Sequence, residues 1–197
     1  MAASGVNGTS ASALTFPDGP QPAAYVRIVG GKFAGRDLES PHDTRVRPTA
    51  EHVRDAVLTK LGPYLTGARV LDLFAGTGAL GLEALSRGAK SADFVETRPS
   101  SLHALRANVA LLRMRDRTRI FKRDALPFAG ALEEGVYEIA FVDPPYASRM
   151  LDRVIEGWLA KPFSRMLVAE HAATHELPVA AKRLRFEETT VSFYGMS

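Results

Sequence analysis

The chain of 197 residues contains no cysteine. That absence excludes disulfides and thiolate metal sites, and it is compatible with a reducing compartment. Histidines are few. His42, His52, His103, His171 and His175 lack the spacing of a metal site, so no metal is expected. No apolar stretch approaches the roughly 20 residues that a bilayer-spanning helix needs, so no membrane association is expected. The N-terminus lacks a charged segment followed by an apolar one, and no secretory signal is read there. Net charge is only +3, which by itself selects no partner. Acids are locally scarce, however. Between Arg98 and Arg123 lie Arg106, Arg113, Arg115, Arg117, Arg119 and Lys122, with Asp116 the one acid among them. A second basic scatter, with acids interleaved, runs through Arg27, Lys32, Arg36, Arg45, Arg47 and Arg54. Such clusters can neutralise phosphates, although a charge run alone is more often a solvated face.

The most informative segment that is present is Asp143-Pro144-Pro145-Tyr146, which closes the apolar run Ile139-Ala140-Phe141-Val142. Neither proline has an N–H for a ladder, so the strand must stop there. It delivers an acid, bare carbonyls and an aromatic ring at its carboxyl end, where open α/β sheets bind ligands. Acceptors beside a flat ring suit a planar group bearing an amino N–H₂, such as a nucleobase or an amide. Without its context the motif can also be read, as the less favoured alternative, as a strand-ending turn with an incidental Tyr.

Residues 1–24 are rich in Ala, Ser, Gly and Pro without apolar periodicity and read as a disordered tail. Residues 25–62 read as a hairpin and a helix. The strand is expected at Tyr25–Val29 and the helix at Pro48–Leu61, with Thr49 as N-cap, an apolar stripe of Val53, Val57, Leu58 and Leu61, and a stop at Gly62-Pro63. Residues 63–197 then alternate. Strands are expected at Ala68–Phe74, Ser91–Val95, Thr118–Phe121, Tyr137–Val142 and Arg165–Glu170. Helices are expected at Ala79–Ser86, Pro99–Leu112 and Leu151–Leu159, and Leu184–Val191 is read as one arm of a terminal hairpin. Alternation of this kind predicts a mostly parallel sheet with helices on both faces.

Gly76-Thr77-Gly78-Ala79-Leu80-Gly81 fits G-x-G-x-x-G between a strand and a helix. Glu96 ends the next strand roughly 20 residues on, where a carboxylate can accept both hydrogen bonds of a ribose diol. The turn alone does not separate a nicotinamide cofactor from S-adenosylmethionine, since both carry adenosine. Asp72, just before the turn, disfavours a pyrophosphate and suits a sulfonium and its α-amino group. Asp124, after the third strand of the alternating series, could accept from an adenine amine or cap a turn.

The stretch Val70–Ala89 (VLDLFAGTGALGLEALSRGA) resembles the cofactor loop of class I methyltransferases. It is particularly similar to the RsmD-type enzymes, which methylate the N2 amine of a guanine in bacterial 16S ribosomal RNA. Arg27-Ile28-Val29-Gly30-Gly31, Gly35-Arg36 and Arg47-Pro48-Thr49 leading into Val53-Arg54 resemble that family's hairpin and first helix, and Asp143–Tyr146 falls at its catalytic motif. The chain has Glu51-His52 where members usually carry Asp-Arg, and it ends soon after Tyr194-Gly195, so a short final hairpin is expected. The resemblance implies a Rossmann-like class I fold with a small hairpin–helix extension. It implies S-adenosylmethionine held by Asp72, Phe74, Ala75, Gly76, Thr77, Gly78, Gly81, Glu96 and Asp124, and catalysis by Asp143, Pro144, Pro145 and Tyr146. It further implies RNA contacts from Arg27, Lys32, Arg36, Arg45, Arg47 and Arg54, ribosomal RNA as partner, free or within the small subunit, a monomer, and a cytoplasmic location. Two alternatives stay open from the residues: another amino acceptor, in DNA or in a protein glutamine, and a non-catalytic RNA-binding assembly factor on the same scaffold.

Overall fold

The computed structural model describes residues 26–41, 50–145 and 149–196. Strands β1 (Val26–Arg27) and β2 (Asp37–Leu38) form an antiparallel pair. Helix α1 (Glu51–Leu65) follows. Then come β3 (Arg69–Asp72), α2 (Ala79–Ser86), β4 (Ser91–Val95), α3 (Pro99–Leu111), β5 (Thr118–Phe121), α4 (Ala125–Gly130), β6 (Tyr137–Val142), α5 (Met150–Ala160), β7 (Ser164–Ala172), β8 (Lys182–Arg185) and β9 (Thr189–Tyr194). The main sheet has seven strands in the order β5-β4-β3-β6-β7-β9-β8. Strands β3 to β7 run parallel, and β9 pairs antiparallel with both β7 and β8. This is the expected α/β arrangement.

Period-2 alternation along the central strands sorts the core. Val70, Ile139, Phe141, Met166 and Val168 pack on one face with α1, α2 and α3. Leu71, Ala140, Val142, Leu167 and Ala169 pack on the other with α4 and α5. Strands buried on both faces read as continuous apolar runs, which is why β3 and β6 were visible in the sequence.

Four local readings need correction. Helix α1 does not stop at Gly62-Pro63 but runs on to Leu65, with Pro63 inside it. Gly62, Pro63 and Tyr64 lie on the solvent side, while Leu61 and Leu65 are fully buried. Burial of the two leucines outweighs one missing hydrogen bond in the last turn. The boundary read at residue 62 therefore falls within a helix. Leu184–Val191 is not one arm: a turn at 186–188 divides it between β8 and β9. Strand β9 is paired with β7 over its whole length rather than shortened. Helix α4 was not anticipated, because Pro127 looks like a breaker. It sits in the first turn, where an N–H would lack an intrahelical partner anyway.

The N-terminal hairpin is not a separate unit. Val26, Ile28 and Leu38 share a core cluster with Val53, Leu58 and Phe94. Its backbone lies on the C-terminal end of α2. Ser86 Oγ donates to the Gly30 carbonyl at 2.6 Å and accepts from Phe33 N–H at 2.9 Å. At Gly31 φ is +79°, and a Cβ would lie 2.1 Å from the Ser86 carbonyl oxygen. Only glycine fits that approach. Beneath it the Glu83 carboxylate, fully buried, accepts from Arg54 Nε at 2.6 Å, Arg87 Nη2 at 2.7 Å and Gly30 N–H at 3.1 Å. Arg54 also donates to the Arg27 carbonyl.

Removing one partner of a buried pair leaves an uncompensated charge. Glu83→Ala is therefore expected to lose roughly 3–5 kcal/mol of stability, measured by urea denaturation. Arg54→Met combined with Glu83→Leu is expected to recover part of that loss.

Candidate active site

The order of the sheet reverses between β3 and β6: β4 and β5 lie to one side of β3, and β6 and β7 to the other. Open α/β sheets bind ligands outside the carboxyl ends of the strands at such a point. A cleft of about 930 Å³ opens there, within the size range of small-molecule sites.

One wall is the glycine turn between β3 and α2. Gly78 has φ +81°, and a Cβ on it would lie 2.4 Å from a Leu105 methyl. Gly81 admits the Phe94 ring so closely that a Cβ would lie 2.4 Å from it, which lets α2 pack tightly on β4. The turn is held by Glu96 at the end of β4. Its Oε2 accepts from Gly76 N–H at 2.9 Å, and its Oε1 accepts from Thr97 and Arg98 N–H at 2.7 and 2.8 Å. Asn108 of α3 donates to the Thr77 carbonyl at 3.0 Å and clasps the Glu39 backbone at 2.7 and 3.0 Å. The turn and the end of the hairpin thus share one amide side chain.

Asp72 closes β3 and is buried, with Gly81 N–H 3.3 Å from its Oδ2. Burial pushes its carboxyl up to about 7; the Gly81 bond opposes this and the Glu96 charge adds to it. A buried acid so poised is stabilised as an anion by a cationic ligand. Asp124 accepts from Leu126 N–H at 3.0 Å and caps α4. It also borders the cleft. Phe74, Ala75, Gly76 and Thr77 line the cleft as well.

The opposite wall is the end of β6. Asp143 is half-buried, Pro144 is buried and Pro145 is exposed, and all three border the cleft. Tyr146 lies outside the described residues. The glycine turn and the acidic tip of β6 therefore face one space, although Gly76 and Asp143 are 67 positions apart in the chain.

Other lining residues were not anticipated: Arg98, Arg123, Glu170, and the pair His52 and Phe186, whose rings meet edge-on at 5.7 Å. Glu170 carries the signal that exposed Asp143, an acid directly after an apolar run, and could have been found by it. Phe186 lies on a turn whose approach to α1 no local pattern encodes.

The basic residues divide. Arg27, Lys32 and Arg36 are exposed, with Arg27 paired to Asp37 at 2.9 Å. None of the three is among the residues lining the cleft, whereas Ala50, His52 and Val53 are. Arg54 is a correction. Expected on the RNA-contacting surface, it is fully buried and spent on Glu83 and the Arg27 carbonyl. Arg45 and Arg47 lie outside the described residues. In the other cluster, Arg117 donates to the Ala89 and Lys90 carbonyls and Arg119 pairs with Asp93. Arg115 and Arg117 precede β5, at the edge of the sheet away from the cleft.

Comparison with known proteins agrees with this geometry. The profile of the family described as Conserved hypothetical protein 95 matches residues 26–193. Ribosomal RNA small subunit methyltransferase D of Escherichia coli K12 is 39% identical over 143 residues, covering 70% of this chain and 71% of that protein. The protein of the same name from Haemophilus influenzae is 30% identical over 138 residues, covering 69% and 72%. Among solved structures, a hypothetical protein of Thermus thermophilus superposes with a TM-score of 0.74 at 31% identity, over 87% of this chain and 99% of that one.

The raised Asp72 value carries a sign. In the unfolded chain the carboxyl ionises near its ordinary 3.8; in the fold it ionises near 7. The folded state holds the proton more tightly between those values, so this contribution is present at low pH and is lost as pH rises through 7. Denaturation of the ligand-free protein across this range is expected to show that decline, and Asp72→Asn is expected to flatten it.

Proposed function

The chain belongs to the Conserved hypothetical protein 95 family, and we propose that it is an S-adenosylmethionine-dependent methyltransferase acting on the N2 amine of a guanine in bacterial small-subunit ribosomal RNA. The observation that carries this reading is the shared cleft: the Gly76–Gly81 turn with Glu96 on one wall and Asp143-Pro144 on the other. The named relatives are ribosomal RNA methyltransferases, and ribosomal RNA is the partner. Such a substrate supports a location in the cytoplasm. Action on the free RNA or on the assembling subunit fits equally, and a single copy of the chain holds every described group named.

The residues fit the cofactor. S-adenosylmethionine, when bound, supplies a methyl carbon activated by a sulfonium. Glu96 takes the ribose hydroxyls, the glycine turn allows close backbone approach, ionised Asp72 balances the cation, and Asp124 borders the base. Phe74, Ala75 and Thr77 complete this wall. At the other wall the exocyclic amine of guanine is a poor nucleophile, because its lone pair is delocalised into the ring. The Asp143 carboxylate and the Pro144 carbonyl accept its two N–H bonds and orient the lone pair toward the methyl carbon. Asp143 is placed to take the amine proton released when the nitrogen gains a methyl group, which bound S-adenosylmethionine would supply while its sulfur would keep the electron pair of the broken bond. Tyr146 follows Pro145 in sequence and is assigned to stacking on an unstacked base. Alignment carries much of the rate, since the sulfonium is already a strong electrophile.

Residues 26–62 are assigned to RNA contact through exposed Lys32 and Arg36 and, more weakly, the paired Arg27. Arg45 and Arg47 belong to the same assignment. Arg98 and Arg123 at the rim are the nearer cations to the cleft.

Incubation with labelled cofactor and small-subunit RNA, followed by nucleoside analysis, is expected to yield N2-methylguanosine. Asp143→Ala is expected to lower turnover by at least about 100-fold, the scale of a positioned acid–base group, with calorimetric cofactor affinity nearly unchanged. Methyl groups on adenine, cytosine or protein would overturn the reading. In RNA-binding assays Lys32→Ala and Arg36→Ala are each expected to reduce the log–log salt dependence by about one unit, again without altering cofactor affinity.

A further inference from the structure

The cleft extends beyond the groups assigned to the cofactor and the target amine. Its lining follows the order of the sheet: Asp124 after β5, Glu96 after β4, the glycine turn after β3, Asp143 after β6 and Glu170 on β7. It ends at the turn between β8 and β9, where Phe186 and Thr189 line it. Thr189 pairs with Ala172 at the carboxyl end of β7, which brings that turn to the same edge of the sheet. The cofactor is assigned to the part over β5, β4 and β3, and the target amine to the end of β6. The part over β7 and β9 is left over. With strands about 4.8 Å apart, β9 stands roughly 10 Å from β6.

Two rings close this end. Phe186 is half-buried, packs against the core cluster shared with α1, and sits in a turn where its N–H donates to the Thr189 carbonyl at 2.8 Å. His52, in the first turn of α1, is exposed and meets the Phe186 ring edge-on at 5.7 Å. An edge-on contact covers a face of only one of its two rings, and both residues line the cleft. No lysine or arginine lines this end among the described residues: Arg98 and Arg123 stand at the β4 and β5 end, while Glu187 and Glu188 stand beside Phe186. A phosphate finds its counter-charges at one end of the cleft, and a flat neutral group finds rings at the other.

We propose that Phe186, with His52 against its ring, is the stacking platform for the nucleotide next to the target guanine on the same RNA strand. The inference rests on the RNA reading given above and deepens it. Every base has a π-face, so such a platform tolerates any sequence. It places the strand and leaves the choice of target to the groups at the end of β6. A flanking base held on a fixed ring also offsets part of the cost of unstacking the target.

The test uses small-subunit RNA, free or assembled as the enzyme requires, in which the nucleotide 5′ or 3′ of the mapped guanine is abasic. With wild type, one of these two substrates is expected to lose roughly 5- to 100-fold in kcat/KM, the range for one base on one ring. Phe186→Leu keeps apolar bulk toward the core and removes the flat face. On intact RNA it is expected to lose a similar factor. On the sensitive abasic RNA it is expected to lose no more than about twofold further, because ring and base act as one pair. Phe186→Tyr is expected to keep most of the activity. If neither abasic substrate is impaired with wild type, the inference is overturned without any variant. Losses from Phe186→Leu and from the missing base that multiply instead of overlapping also overturn it. A fall in calorimetric cofactor affinity in Phe186→Leu would assign the rings to the methyl donor and overturn it as well. All three results leave N2 methylation standing. Failure of wild type to methylate guanine at all instead refutes the underlying reading.

Discussion

The carboxylate of Glu83 is the constraint on which the arrangement of the chain depends. It is fully buried within α2 and is met by Arg54 from α1, Arg87 from the end of α2 and the Gly30 amide from the hairpin. A buried charge must be compensated, so these three elements can adopt only the relative positions that bring those donors together. Gly31, with its backbone against the Ser86 carbonyl, then fixes the height of the hairpin. Because α2 begins at the glycine turn, whatever orients α2 also orients that wall of the cleft. The N-terminal extension is thereby a brace for the site.

The same economy governs the acids of the sheet. Asp72 ends β3, Asp143 follows β6, and Glu170 follows the apolar stretch Met166–Ala169 within β7; the three strands are adjacent in the sheet. In each case an apolar run delivers a carboxylate to the one edge where it meets solvent or ligand. The acids are then differentiated by surroundings. Asp72 is sunk behind the turn and its carboxyl is pushed up to about 7 by burial. Asp143 sits at the tip of β6, and Glu170 lies beside it.

Much of this was legible in the residues. Strands β3 and β6 are apolar throughout because both of their faces are covered, and the Pro144-Pro145 pair marks where β6 must end. The spacing from Gly76 to Glu96 follows from one strand–helix–strand unit, so this wall of the cleft could be read locally. What escaped depends on distant partners. Arg54 reads as one more cation in a basic segment, and nothing local shows that Glu83 waits for it 29 residues on. The end of α1 was misread because Gly62-Pro63 signals a stop, while the burial of Leu65 that overrides it is a tertiary fact. Phe186 is carried to His52 by the β8–β9 turn, a contact between the two ends of the chain. Asp124 could be read two ways; the fold uses it as the cap of α4 and sets it on the border of the cleft.

The central claim is that the paired walls of this cleft bring a methyl donor to the N2 amine of a base in ribosomal RNA. Position-resolved mapping of methylated nucleotides tests it most directly, comparing small-subunit RNA from cells that carry the gene, lack it, or carry it with Asp143→Ala. The account predicts one guanine with an N2-methyl group in the first case and an unmodified guanine at that position in the other two. Full methylation in cells carrying only the Asp143→Ala form, or an identical map with and without the gene, would contradict it.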